Sequence, residues 1–176
     1  MKNFKLLLLT PFVFLVITFG CDNPSNKFLA ESSITETNKK TMEKSDMNSF
    51  GKKYAEAWCS QKPGNVAAFF ASSGSLTVNN GSPAIGRVAI AKVAEGFMTA
   101  FPDMIVAMDS LAATSNGTEF HWTLTGTNSG PNGTGKKVRI HGFELWKIDS
   151  DGLIRESIGS FDAEEYNRQF KYGIAN

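Results

Sequence analysis

Residues Thr118 to Gly126 alternate without interruption. Phe120, Trp122 and Leu124 fall on one face of an extended strand, and Glu119, His121, Thr123 and Thr125 on the other. Such a strand needs a sheet with one covered face and one wet face, which is the habit of antiparallel sheets. Its neighbours fit. Met104 to Ala112 alternates loosely, Lys137 to Ile148 is a long strand, Asp149 to Gly152 a turn, and Leu153 to Phe161 the last strand. Between 128 and 137, Gly130, Pro131, Gly133 and Gly135 make an irregular loop joining two strands. It opens no helix and so is not a phosphate loop.

The cover for this sheet must come from the residues before it. Ser49 is a helix cap. Phe50, Tyr54, Ala57, Trp58 and Gln61 follow at helical spacing, and Pro63-Gly64 ends that helix. A short second helix is predicted over Asn65 to Ala71, carrying Val66, Phe69 and Phe70. Ser75 to Val78 reads as a short strand, followed by the turn signal Asn79-Asn80-Gly81. Arg87 to Ala100 is an amphipathic helix, with Ile90, Val93, Ala94, Phe97 and Phe101 on one face and Pro102 as its stop. Asp162-Ala163-Glu164-Glu165 has the form of a capping box and opens a last helix to Phe170. Helices followed by consecutive strands predict an α+β domain over about residues 48–173. A curved antiparallel sheet wraps around the N-terminal helices, and a short C-terminal helix follows.

The N-terminal residues are of another kind. Lys2 and Lys5 precede the apolar runs Leu6 to Leu9 and Phe12 to Ile17, the layout of a secretory signal over residues 1–20. The stretch Ile17-Thr18-Phe19-Gly20-Cys21 resembles a bacterial lipobox, which implies lipidation of Cys21 and a place in the bacterial cell envelope. The alternative is a secreted protein in which Cys21 is incidental. Residues 21–47, rich in Ser, Thr, Asn, Lys and Glu without an apolar period, are expected to be a flexible tether. The whole chain of 176 residues has 18 Lys and Arg against 17 Asp and Glu, a net charge of +1. Loss of Lys2 and Lys5 with the signal takes this to −1, so lipid rather than charge would hold the protein to a membrane. Near neutrality also speaks against nucleic-acid binding. Two cysteines make no disulfide framework, and no Cys/His cluster suggests a metal. Cys59 reads as a small buried residue.

Five segments then recur in a recognisable order. They are Gly81-Ser-Pro-Ala-Ile-Gly-Arg87, Phe97-Met-Thr-Ala-Phe-Pro-Asp103, Thr123-Leu-Thr-Gly-Thr-Asn-Ser-Gly130, the stretch from Gly142-Phe-Glu-Leu-Trp to Ile-Arg-Glu156, and Phe161-Asp162. Over roughly residues 48 to 170 the chain resembles the SnoaL-like proteins, of the polyketide or ester cyclase type within the nuclear transport factor 2-like superfamily. The resemblance implies an α+β cone around an apolar pocket, often dimeric through its open sheet. It also implies ring closure by intramolecular aldol addition without metal, nucleotide or other cofactor.

Such chemistry needs a base for an acidic C–H and a donor for the enolate oxygen. A carboxylate in an apolar pocket suits the first role, because burial raises its pKa. The resemblance puts the acid/base carboxylate at Asp162, where the residues themselves offer a helix cap instead. Glu144 is the second carboxylate candidate, against a surface charge. His121 and His141 are candidate proton donors, against a solvated face for His121 and a packed, hydrogen-bonded ring for His141. Tyr54, Trp58, Phe97, Trp122 and Trp146 are expected to wall the pocket for a small hydrophobic ligand, or to be plain core. Three functions stay open: an acid/base enzyme acting on a small carbonyl compound, a binding module without turnover, and an interaction domain pairing through its sheet.

Overall fold

The computed structural model describes residues 44–175 of the chain. The signal segment, Cys21 and most of the expected tether lie outside the described residues. Helix α1 (Lys44–Cys59) and the five-residue α2 (Pro63–Ala67) lead into strand β1 (Phe70–Val78), the two-residue β2 (Ala84–Ile85) and helix α3 (Gly86–Ala100). Strands β3 (Ile105–Thr114), β4 (Gly117–Thr127), β5 (Lys137–Ile148) and β6 (Ile154–Phe161) follow, and α4 (Ala163–Tyr172) comes last. The six strands form one curved, open sheet in the order β2-β1-β6-β5-β4-β3.

The chain reaches the far edge of the sheet through α3 and returns as the meander β3 to β6. The meander therefore brings β6 beside β1, and these two run parallel, Leu76 opposite Ser157 and Val78 opposite Gly159. Every other pairing is antiparallel. Strand patterning sees faces rather than neighbours, which is why the wholly antiparallel sheet expected from sequence has one parallel junction.

Three local expectations also shift. Helix α1 starts at Lys44, and Met47 packs against the core, so the last residues assigned to the tether are helix. The turn after α1 is made by Gln61 at φ 54°, and Pro63 opens α2 rather than closing α1. Phe70 belongs to β1, not to a helix. Its carbonyl accepts from Arg87 Nε at 2.8 Å, and it sits opposite Ile154 of β6. Val66, Phe69 and Phe70 are spaced as on a helix, but a five-residue helix followed by a strand buries them equally well.

The inner face of the sheet carries Phe70, Leu76, Val106, Phe120, Leu124, Val138, Ile140 and Trp146, all buried. Helix α1 lies over β3 and α3 over β1, completing the core with Tyr54, Trp58, Ile90, Ala94 and Phe101. Gly51 sets the approach of α1, since a Cβ there would meet Met108 Sδ at 2.7 Å. At the C-terminus, α4 closes a strand edge. Strand β6 pairs with β5 only from Gly142 onward, which leaves Arg139 without a strand neighbour on that side. The buried Gln169 amide takes the missing place, accepting from Arg139 N at 2.6 Å and donating to Arg139 O at 3.1 Å. Gln169→Ala should therefore lower stability by about 1–2 kcal/mol. Urea denaturation monitored by tryptophan fluorescence tests this, and an unchanged midpoint would mean that water serves the edge as well.

Candidate functional site

Between the inner face of the sheet and the helices lies a cavity of about 520 Å³, its open mouth included. Space of this size suits a small molecule. The wall is apolar: Trp58 and Phe97 come from the helices, Leu76 and Val78 from β1, Val106 from β3, and Phe120, Trp122 and Leu124 from β4. Gly159 and Phe161 of β6 complete it, and the single ionisable residue lining it is Glu144 of β5.

Strand register explains this arrangement. Phe120, Trp122 and Leu124 share the inward face of β4, and Glu144 stands opposite Phe120 on β5. On the other side its partner is Gly159, where a Cβ would lie 3.5 Å from Glu144 Cγ. A side chain at 159 would take up space beside the carboxylate.

Glu144 is 6% exposed. Its Oε2 accepts three hydrogen bonds, from Ser157 Oγ at 2.6 Å, Trp146 Nε1 at 2.9 Å and Tyr54 Oη at 3.0 Å. Its Oε1 has only a long contact to the Tyr54 hydroxyl, at 3.4 Å. Among the described residues, no Lys, Arg or His forms an ion pair with it. Burial pushes its carboxyl above the usual carboxylate range, against the opposing pull of Ser157, Trp146 and Tyr54. Burial first, and then the neighbouring carboxylate, raise the Tyr54 phenol well above its ordinary value, so Tyr54 stays a donor. Tyr54 is itself fully buried, with Trp146, Phe69 and Phe120 packed edge-on at centroid distances of 5.1, 5.3 and 5.5 Å. Trp146 stacks on Phe120 at 4.6 Å and 14°. This packing holds two of the three donors rigidly.

The other sequence candidates lie elsewhere. Asp162 is exposed at the N-terminus of α4, where its Oδ1 accepts from Glu165 N at 2.9 Å. It does not line the cavity. Its placement matches the cap that the residues offered, not a pocket base. Only half of the capping box forms, because the Glu165 carboxylate turns to Arg168 Nε at 2.6 Å and Gln169 Nε2 at 2.7 Å. His121 and His141 project from the opposite, outer face of the sheet. His121 Nε2 lies 3.1 Å from Glu119 Oε2. His141 is exposed, with Nδ1 2.8 Å from the Thr123 hydroxyl, which donates to Asp109 Oδ2 at 2.8 Å. Asp109 reaches that position because the β3–β4 register slips between Met108 and Ser110. Of the expected wall, Trp58, Phe97 and Trp122 line the cavity, whereas Tyr54 and Trp146 stand behind Glu144 as its donors. Sequence reasoning passed over Ser157, the nearest donor. Its signal was a lone small polar residue at an inward position of the last strand.

A family model described as SnoaL-like polyketide cyclase matches residues 49–170. The chain belongs to this family. No curated protein matches it by sequence. Among solved structures it is similar to a Jannaschia sp. CCS1 protein described as a SnoaL-like polyketide cyclase, with a TM-score of 0.65 at 15% identity over 76% of this chain and 96% of that one. TsrD from Streptomyces laurentii gives 0.63 at 13% identity, over 74% of this chain and 98% of that one. SalBIII, an epoxide hydrolase/cyclase-like enzyme of pyran ring formation in the polyether salinomycin, gives 0.61 at 13% identity over 71% and 97%. At these identities the likeness establishes the shared nuclear transport factor 2-like fold.

The raised Glu144 pKa fixes the sign of a stability effect. A carboxyl whose folded pKa exceeds its unfolded value stabilises the fold below the unfolded pKa, near 4.3, and loses that contribution as pH rises through the folded value. Glu144→Gln should thus match the wild type in acid and gain on it as pH rises from the unfolded value through the folded one. Urea midpoints measured at a series of pH values test this, and a wild-type advantage that grows with pH would show the carboxylate to be stabilised by its donors instead.

Proposed function

We propose that this SnoaL-like domain is a cofactor-independent acid/base enzyme of the cyclase or isomerase type, acting on a small, largely apolar carbonyl compound. Glu144 is the proton-transfer group in this reading. One observation carries it: a carboxylate without a cationic partner among the described residues is buried in the wall of an apolar cavity. Elevation toward working pH is what a general base for a weakly acidic C–H requires. With three donors on Oε2, Oε1 is the oxygen with capacity to spare. It takes the proton alpha to the carbonyl, leaving an enolate, and the neutral carboxyl returns a proton to carbon or oxygen. Ring closure or isomerisation follows from where the enolate carbon or the returned proton goes. The second reading, binding without turnover, rests on the same cavity with Glu144 as a fixed polar anchor.

Benzyl methyl ketone in D2O separates the two. Its alpha protons should exchange faster with the protein present, as followed by proton NMR. Glu144→Gln should reduce the acceleration by about 10²-fold or more, while Asp162→Ala should keep it. Shifted, saturable ketone resonances without exchange would assign the cavity to binding alone. Loss of exchange in Asp162→Ala with retention in Glu144→Gln would return the role to Asp162.

The same proposal places the protein in the bacterial cell envelope, held by lipid on Cys21, with pairing of two copies through the outer sheet face as the family resemblance implies. The support is the order of Lys2, Lys5, the apolar run and Gly20-Cys21. Cys21→Ser should move the protein from the membrane fraction to the soluble one. Unchanged partitioning in cell fractionation would count against acylation.

A further inference from the structure

We infer that Gly159 is the specificity-determining position of this cavity, and that the group it admits beside Glu144 is an apolar substituent, alkyl or aryl, on the carbon next to the ligand's carbonyl. The inference rests on the reading of Glu144 as the group that takes a proton from that carbon, and adds which carbonyl compounds the site accepts.

A glycine inside a strand costs stability and packs nothing, so it needs a cause. The usual causes are a left-handed backbone, a bulge, a close backbone approach or a ligand. Gly159 is not among the glycines of positive φ, unlike Gly152 in the turn before β6. The register with β5 is unbroken from Gly142 to Lys147, and that with β1 from Ser75 to Val78, so no bulge falls there. A Cβ at 159 would meet Thr77 O at 3.4 Å, Glu144 Cγ at 3.5 Å and Phe143 O at 4.0 Å, ordinary contacts that a side chain tolerates. Gly142 on β5 is the opposite case. A Cβ there would overlap Trp122 Cζ2 and come within 2.7 Å of Ser160 O, and the indole that rests on it has its Nε1 buried without a partner among the described residues. The fold thus requires glycine at 142 but not at 159. Gly159 lines the cavity, which leaves the ligand as its cause.

The register places this gap. Phe120, Glu144, Gly159 and Val78 form one row across β4, β5, β6 and β1, and all four line the cavity. Three of them carry side chains into it, and Gly159 leaves a notch one strand wide. The backbones at Glu144 and Val78, on either side of that strand, stand about 10 Å apart. Phe161, the next inward residue of β6, also lines the cavity. A group seated in the notch touches Glu144, so it is carried by the carbon whose proton the carboxylate takes. Val78 and Phe161 offer no hydrogen bond to a polar group there, and burying one unpaired is costly. An unsubstituted carbon would leave the notch unfilled and its contacts unmade.

Gly159→Ala puts one methyl group into the notch, and two ketones differ in what they bring to it: phenyl in benzyl methyl ketone, methyl in butanone. Chemical-shift titration of the folded protein should show Gly159→Ala weakening benzyl methyl ketone roughly tenfold and butanone less than twofold, with no fall in the urea midpoint. A lowered midpoint would show that the fold needs this glycine, and would overturn its role in specificity. An equal loss for both ketones, or for neither, would also overturn that role while leaving the cavity reading intact. Selective loss together with no alpha-proton exchange in the wild type would support the size selection by Gly159 and overturn Glu144 as the base. Failure of the wild type to bind either ketone would overturn both.

Discussion

A carboxylate in an apolar interior, bound by three neutral donors and, among the described residues, no cation, sets the terms for the packing around it. Removing such a charge from water costs several kcal/mol even after relaxation. The interior offsets this cost only partly, through Ser157, Trp146 and Tyr54. Each donor has a second duty that fixes its position. Tyr54 is the centre of an aromatic cluster between α1 and the sheet, Trp146 stacks on Phe120, and Ser157 sits in the parallel β1–β6 junction. A fully satisfied polar group of this kind ties core packing to one arrangement. The residual cost appears as a raised pKa of the Glu144 carboxyl.

The two faces of β4 and β5 divide the labour. Inward, Glu144 has Gly159 as its β6 partner and Trp122 has Gly142 as its β5 partner, and the missing side chains leave room for the carboxylate and for the indole. Outward, both histidines are held by carboxylates, His121 directly by Glu119 and His141 through the Thr123 hydroxyl to Asp109. The outer face also carries Ile158, 40% exposed, beside half-buried Phe143 and Leu145. Both histidines thus lie on the outer face, and among the described residues Glu144 is the buried carboxylate.

Much of this was readable beforehand. The boundaries of β5 and the faces of β4 follow from alternation, because side-chain direction in a strand has period two and burial enforces it. Strand parity groups Glu144 with Gly142 and Trp146, and the structure turns that face inward. Asp162 shows the opposite case. Its position after the last strand suggested a pocket base, while the Asp-x-x-Glu spacing suggested a cap, and the structure places it exposed at the head of α4. Ser157 and the unpaired Trp122 N–H were invisible, since a hydrogen bond, or its lack, depends on atoms brought together from strands far apart in sequence.

The amino-acid order by itself determined the class of fold, the covered and wet faces of the meander, and the apolar character of the interior. These depend on local periodicity and on where water must be excluded. Tertiary structure alone decided that β6 runs parallel to β1, that the Gln169 amide completes a strand edge, and that Glu144 rather than Asp162 meets the cavity. Each of those outcomes turns on which strands become neighbours and in what register, a long-range choice made by the whole core at once and written in no single stretch of chain.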